Sequence, residues 1–148
     1  MRVAIIGCGW VGTRLSLYLK ERNHHVIVTT TSSEKISSLK NNASEVHLFD
    51  FSIPQNFDFL NEIDVAIFSM PISRNHWFEG FKNLNQTFPK TILFSSTGIY
   101  PTENQIFTEN DTENLREDIL ASENLVKEKY PQTTILRFGG LMGDNRSL

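Results

Sequence analysis

Gly7-Cys8-Gly9-Trp10-Val11-Gly12 decides how this chain is read. The loop follows an apolar run, Arg2–Ile6, and opens an amphipathic stretch, Val11–Arg22, with a second β-branched run at His25–Thr29. A G-x-G-x-x-G pattern between a strand and a helix suits the pyrophosphate of a dinucleotide. Gly7 is expected to make the tight turn, and Gly9 to let backbone N–H groups approach the phosphates. Gly12 is expected to seat the helix closely on the strand. Trp10 and Val11 begin that helix, whose N-terminal N–H groups and dipole favour an anion. The alternative is a glycine turn that serves packing alone. Cys8 reads as a small buried filler, because the chain holds no second cysteine to partner it.

Further along, short apolar runs alternate with longer amphipathic ones. Strands are expected at Arg2–Ile6, His25–Thr29, Glu45–Phe49, Asp64–Ser69, Thr91–Ser95 and Thr133–Arg137. Most are continuously apolar, as in strands buried on both faces of a parallel sheet. Helices are expected at Val11–Arg22, Glu34–Asn41, Asn75–Phe88 and Asn114–Tyr130, with room for only a short one between Phe51 and Asn61. In the first helix Val11, Leu15, Tyr18 and Leu19 form the expected apolar stripe. Such alternation specifies an α/β fold, a doubly wound parallel sheet of about six strands. Pro101–Asn114 is polar and acidic and reads as an exposed loop over one sheet edge.

The composition fits one domain: 148 residues, 39% hydrophobic, with a formal charge of −3. That balance announces no nucleic-acid or anionic-membrane surface. No stretch approaches the ~20 apolar residues of a spanning helix. The first apolar run stops at Gly7, too short for a secretory signal. A cytoplasmic protein without nucleic-acid or membrane partners is expected, its oligomeric state unassigned. One cysteine excludes a disulfide framework. His24, His25, His47 and His76 lack ligand spacing, so no metal is expected and they read as solvated or packed histidines.

The end of the second strand selects between nicotinamide dinucleotides. An acid there would bind the ribose 2′-hydroxyl of NAD. This chain instead has Thr29-Thr30-Thr31-Ser32-Ser33, with Lys35 close behind. Thr30, Thr31, Ser32 and Lys35 therefore favour NADP over NAD. The competing reading is a hydroxyl run that caps the next helix.

Three further segments carry a family resemblance: Leu48-Phe49-Asp50, Phe94-Ser95-Ser96-Thr97-Gly98-Ile99-Tyr100 and Leu136-Arg137-Phe138-Gly139-Gly140-Leu141-Met142-Gly143. With the glycine loop they resemble the extended short-chain dehydrogenase/reductase superfamily, and within it the NAD-dependent epimerase/dehydratase (nucleoside-diphosphate-sugar epimerase) group. The resemblance implies a Rossmann fold in which Asp50 bonds the adenine amino group, with Phe51 beside it. It also implies that Ser69-Met70-Pro71 runs under the ribose and pyrophosphate, and that Ser95 lies at the cofactor. Ser96 takes the place of the family's catalytic Ser or Thr.

Two departures accompany the resemblance. The family's Tyr-x-x-x-Lys pair falls on Leu115 and Ile119, eight and four residues before Glu123. Arg116, the nearest polar group, is the other candidate catalytic residue, able to stabilise an oxyanion but not to serve as a base, and Tyr130 stands at the helix end before Pro131. Glu123 and Lys127 read as an ordinary i, i+4 pair. Trp77 and Phe78, entering the third helix, are candidates to line a cleft. The chain also stops just past the sixth strand, so residues 1–148 are expected to be an NAD(P)-binding domain without the family's C-terminal substrate lobe, either a fragment or a reduced form. Two functions follow: an atypical enzyme acting with NADP(H) on a nucleotide sugar or small carbonyl compound, or a non-catalytic dinucleotide sensor or regulatory module.

Overall fold

A computed structural model describes residues 1–146. Six strands, β1 (Arg2–Ile6), β2 (His25–Thr30), β3 (Glu45–Leu48), β4 (Val65–Phe68), β5 (Lys90–Ser96) and β6 (Thr134–Phe138), form one sheet in the order β3-β2-β1-β4-β5-β6. Every pairing is parallel. The order reverses beside β1, and such a switch point leaves a crevice at the carboxyl ends of the strands.

Alternate residues of the central strands feed two cores. Val3, Ile5, Val26, Val28 and Ile67 pack with Leu15 and Leu19 of α1 (Trp10–Lys20) and with Leu39 of α2 (Ile36–Leu39). Ala4, Ile6, Ile27, Phe68 and Leu93 pack on the other face with Phe81 of α3 (Phe78–Lys82) and Val126 of α4 (Glu117–Lys129). The edge strands are less covered: Leu48 on β3 and Leu136 on β6 are exposed.

The expected strands are found with shifts of one residue at their ends. The helices differ more. The expected stretch Asn75–Phe88 shrinks to the five residues of α3. Trp77 and Leu84, on either side of it, are drawn into the core, and Asn83, Asn85 and Thr87 beyond its end are poor helix formers. Asn114 has φ 54°, so α4 begins three residues later than expected. Tyr18 is exposed; Gly12 and Ser16 are the buried positions of α1. Pro101–Asn114 carries no helix or strand and is pinned by Tyr100, which stacks on Phe107 at 5.2 Å and donates its hydroxyl to the Thr108 carbonyl. Among the described residues no helix is long and apolar enough to cross a membrane.

Candidate functional site

A groove of about 270 Å³ lies over the carboxyl ends of β1, β2 and β4, bounded by the glycine loop, Thr29–Thr31, Lys35, Phe49–Phe51 and Ser69–Pro71. The three glycines do different work. Gly7 has φ +88°, and a Cβ there would stand 2.8 Å from the Ser69 carbonyl oxygen, so the turn admits glycine alone. Its N–H donates to the Thr29 hydroxyl at 2.9 Å. A Cβ on Gly9 would meet nothing within 4 Å. On Gly12 it would touch Ile5 and Cys8 at 3.2 Å, which is how closely α1 sits on β1. Thr13 N–H makes the first helical bond, to the Gly9 carbonyl. The earlier N–H groups of α1 therefore lack helical partners at the groove's edge.

Cys8 is buried, and burial pushes its thiol pKa above the usual value despite the Thr13 hydroxyl and the charge of Lys35. It is a packed filler, as the sequence suggests. At the end of β2 the Thr30 side chain lines the groove, and its hydroxyl accepts from Ser32 N–H at 3.1 Å. Ser32 makes no side-chain cap, so the hydroxyl run does not cap the following turn (Ser33–Lys35) through it. Thr31 and Lys35 are exposed on the groove wall, whereas Ser32 stands off it.

Asp50 accepts from both the hydroxyl and the N–H of Ser52, at 2.6 and 2.8 Å. Those bonds, with the nearby His76, hold its carboxyl below the ordinary range. His76 and Trp77 also line this groove. The Trp77 indole N–H donates to the Pro71 carbonyl at 2.9 Å and fixes the Ser69–Pro71 wall. Behind Phe51, Gly80 of α3 packs directly on the Phe51 carbonyl, with no room for a Cβ.

A second groove of about 510 Å³ shares the Ser69–Pro71 wall and runs past Trp10, Val11, Phe94, Ser95 and Ser96 to Phe138, Leu141 and Arg146. Side chains alternate along β5. Ser95 is buried and gives its hydroxyl proton to Glu123 at 2.7 Å, while Ser96 accepts from Gly98 N–H at 2.9 Å and keeps its own proton to donate. Trp10 is clasped by the C-terminal segment. Gly143 and Arg146 form an antiparallel bridge, and a Cβ on Gly143 would lie 3.1 Å from the Trp10 ring. The guanidinium groups of Arg14 and Arg146 stand 4.0 and 5.2 Å from its centre.

The structure thus gathers Gly7, Gly9, Thr30, Thr31, Lys35, Asp50, Phe51, Ser69, Met70 and Pro71 around the first groove. Trp10, Val11, Ser95 and Ser96 fall on the second. Arg116 lines neither: it is exposed and pairs with Asp118 at 2.9 Å. Ile119 is buried, its tip near Gly98. Tyr130 is packed on Phe68, donates to the Gln86 carbonyl at 2.8 Å, and has a phenol pushed up by burial to about 12. Glu123 is not the surface partner of Lys127 that its spacing suggests. It is buried and bound by Arg137 of β6, whose guanidinium it holds protonated. Among the described residues no group of three or more His, Cys, Asp or Glu is placed to hold a metal ion.

The sequence model of the family described as "NADP oxidoreductase coenzyme F420-dependent" matches residues 2–86. A glycerol-3-phosphate dehydrogenase [NAD(P)+] from Halalkalibacterium halodurans is 29% identical over 125 residues, which are 80% of this chain and 36% of that one. The structure resembles the UDP-glucuronic acid 4-epimerase of Bacillus cereus in complex with NAD, with a TM-score of 0.75 at 19% identity, over 97% of this chain and 57% of that one. It also resembles a yeast methylglyoxal/isovaleraldehyde reductase complexed with NADPH, with a TM-score of 0.60 at 17% identity, over 94% and 53% of the two chains. At these identities the structural likenesses show a shared Rossmann fold. The matched family is a different one from the extended short-chain dehydrogenase/reductase superfamily that the motifs resemble, and the chain spans about a third to just over half the length of these three proteins.

Proposed function

The chain belongs to the NADP oxidoreductase coenzyme F420-dependent family, and from that premise we propose that it binds NADP(H) in preference to NAD(H). The observation that carries the reading is the open space over Gly9, beside α1 N–H groups without helical partners and an acid-free β2 end. In this reading the pyrophosphate lies against Gly7–Gly12, Thr30, Thr31 and Lys35 receive the 2′-phosphate, and Asp50 bonds the adenine. Ser69–Pro71 runs beneath the ribose. Ser32 and Ser95 then act indirectly, Ser32 through its N–H on Thr30 and Ser95 through Glu123.

The motifs support a finer reading, a protein of the epimerase/dehydratase kind that acts on a nucleotide sugar or small carbonyl compound. Bound nicotinamide would supply a hydride donor or acceptor. Ser96 would orient the substrate oxygen by donating the proton its hydroxyl retains. Leu115 and Ile119 transfer no proton, and Arg116 is engaged by Asp118 outside the grooves. General acid–base catalysis is worth ~10²–10⁴-fold, so turnover without such a group is expected to be weak. The burial of Ile119 favours a second reading, a dinucleotide-binding module without turnover.

The test is a titration with NADPH and NADH followed by the fluorescence of Trp10 and Trp77, then a hydride-transfer assay over nucleotide sugars and small carbonyls. Binding of NADPH ahead of NADH with little turnover is expected. Failure to bind either dinucleotide would overturn the cofactor reading. Robust turnover that Ser96→Ala removes would establish the enzyme and discard the second reading.

A further inference from the structure

We propose that the second groove takes a small hydroxy or oxo compound bearing a phosphate or carboxylate, and that Arg146 selects it. The proposal rests on the dinucleotide reading above, which puts the reacting end of the cofactor beyond Ser69–Pro71. Among the described residues that line this groove, Arg146 alone is charged. The remaining walls are apolar or neutral, including Phe94, Phe138 and Leu141. A cation in a cleft with low-dielectric walls focuses its field on an incoming anion. The planar guanidinium fork also matches the oxygens of a carboxylate or phosphate.

The backbone at Arg146 is held in place, and its side chain is exposed. Its backbone exchanges two hydrogen bonds of 2.9 Å with Gly143, and its guanidinium lies 5.2 Å from the centre of Trp10 in the first turn of α1. The nearby acid, Asp144, faces Arg14 at 3.6 Å, and Arg14 packs on the same indole. Ser96, on the same groove, has a hydroxyl proton to give to an oxo or hydroxy oxygen.

Calorimetric titrations on the full chain, with and without saturating NADPH, would compare glycerol 3-phosphate with glycerol and pyruvate with acetone. In at least one pair the anionic member is expected to bind tenfold or more tightly than its neutral counterpart, with the preference weakening as salt rises. Arg146→Gln should remove the preference, and Arg146→Lys should restore part of it. Equal affinity within both pairs, no binding of any of the four compounds, or a preference that survives Arg146→Gln would overturn the proposal. Absence of NADPH binding would count against the cofactor reading instead, because the anion preference is read independently in the NADPH-free titrations.

Discussion

Arg137 on β6 grips the buried carboxylate of Glu123 on α4 through two parallel hydrogen bonds, Nε to Oε1 at 2.9 Å and Nη2 to Oε2 at 2.8 Å. Its third nitrogen donates to the Tyr100 hydroxyl at 2.8 Å, so one guanidinium ties the helix, the edge strand and the loop after β5 together. Removing one partner of a buried pair strands the other's charge. Glu123→Ala should therefore cost about 3 kcal/mol, measured by urea unfolding, and Glu123→Gln less. A loss typical of surface pairs, under about 1 kcal/mol, would show that the pair contributes little.

The contrast between two glycines gives a second expectation. Gly9→Val should abolish dinucleotide binding and leave the melting temperature nearly unchanged, because its side chain enters open space. Gly7→Ala should destabilise the fold itself, since its Cβ meets the Ser69 carbonyl and its φ is positive. Thermal melts and NADPH titrations on both variants separate the two roles. Wild-type affinity in Gly9→Val would remove the glycine loop from the binding site.

Cofactor choice should turn on residue 30. Thr30→Asp introduces a charge that repels a 2′-phosphate and accepts a bond from a 2′-hydroxyl, while the Ser32 N–H keeps an oxygen acceptor. The ratio of NADPH to NADH affinity should fall at least tenfold, about 1.4 kcal/mol. An unchanged ratio would place the discriminating phosphate elsewhere.

Acid stability has a local source at the sheet's far edge. Glu45 on β3 lies between His25 Nε2 at 2.7 Å and His47 Nε2 at 3.1 Å. Hydrogen bonds from His47, then His25, hold its pKa below the ordinary glutamate value. A depressed carboxylate contributes stability that is present above its unfolded pKa and is lost as pH falls through the folded one. Glu45→Gln should be less stable than wild type near pH 5.5, by under about 1 kcal/mol for so exposed a group, and the gap should close toward pH 3. A gap independent of pH across that range would argue against this linkage.

The strands and the glycine loop were legible because their signals are local. An apolar run such as Val3–Ile6 reports burial on both faces by itself, and Gly7, Gly9 and Gly12 report their turn by spacing. The rest depends on partners distant in sequence. Glu123 looks like the mate of Lys127 until β6 brings Arg137 beneath it. α3 is short because Trp77 and Leu84 are claimed by the core, which the helical spacing of Asn75–Phe88 does not reveal. His76 carried no ligand spacing, yet the fold sets it on the first groove, and Trp77, read as a cleft residue, serves there through its bond to Pro71. The clasp of Gly143 and Arg146 over Trp10 joins the two ends of the chain, and no local pattern announces it.

Gly80 does not line the first groove, but the Phe51 backbone it abuts belongs to a residue that does. Close-packed interiors pass displacement along rather than absorb it. A methyl group at residue 80 would therefore act as a wedge driven in from behind, displacing the Phe51 backbone that forms part of the groove wall. If the dinucleotide binds as proposed, the width of its seat is gauged from the opposite side of the wall, by a residue that does not line the groove.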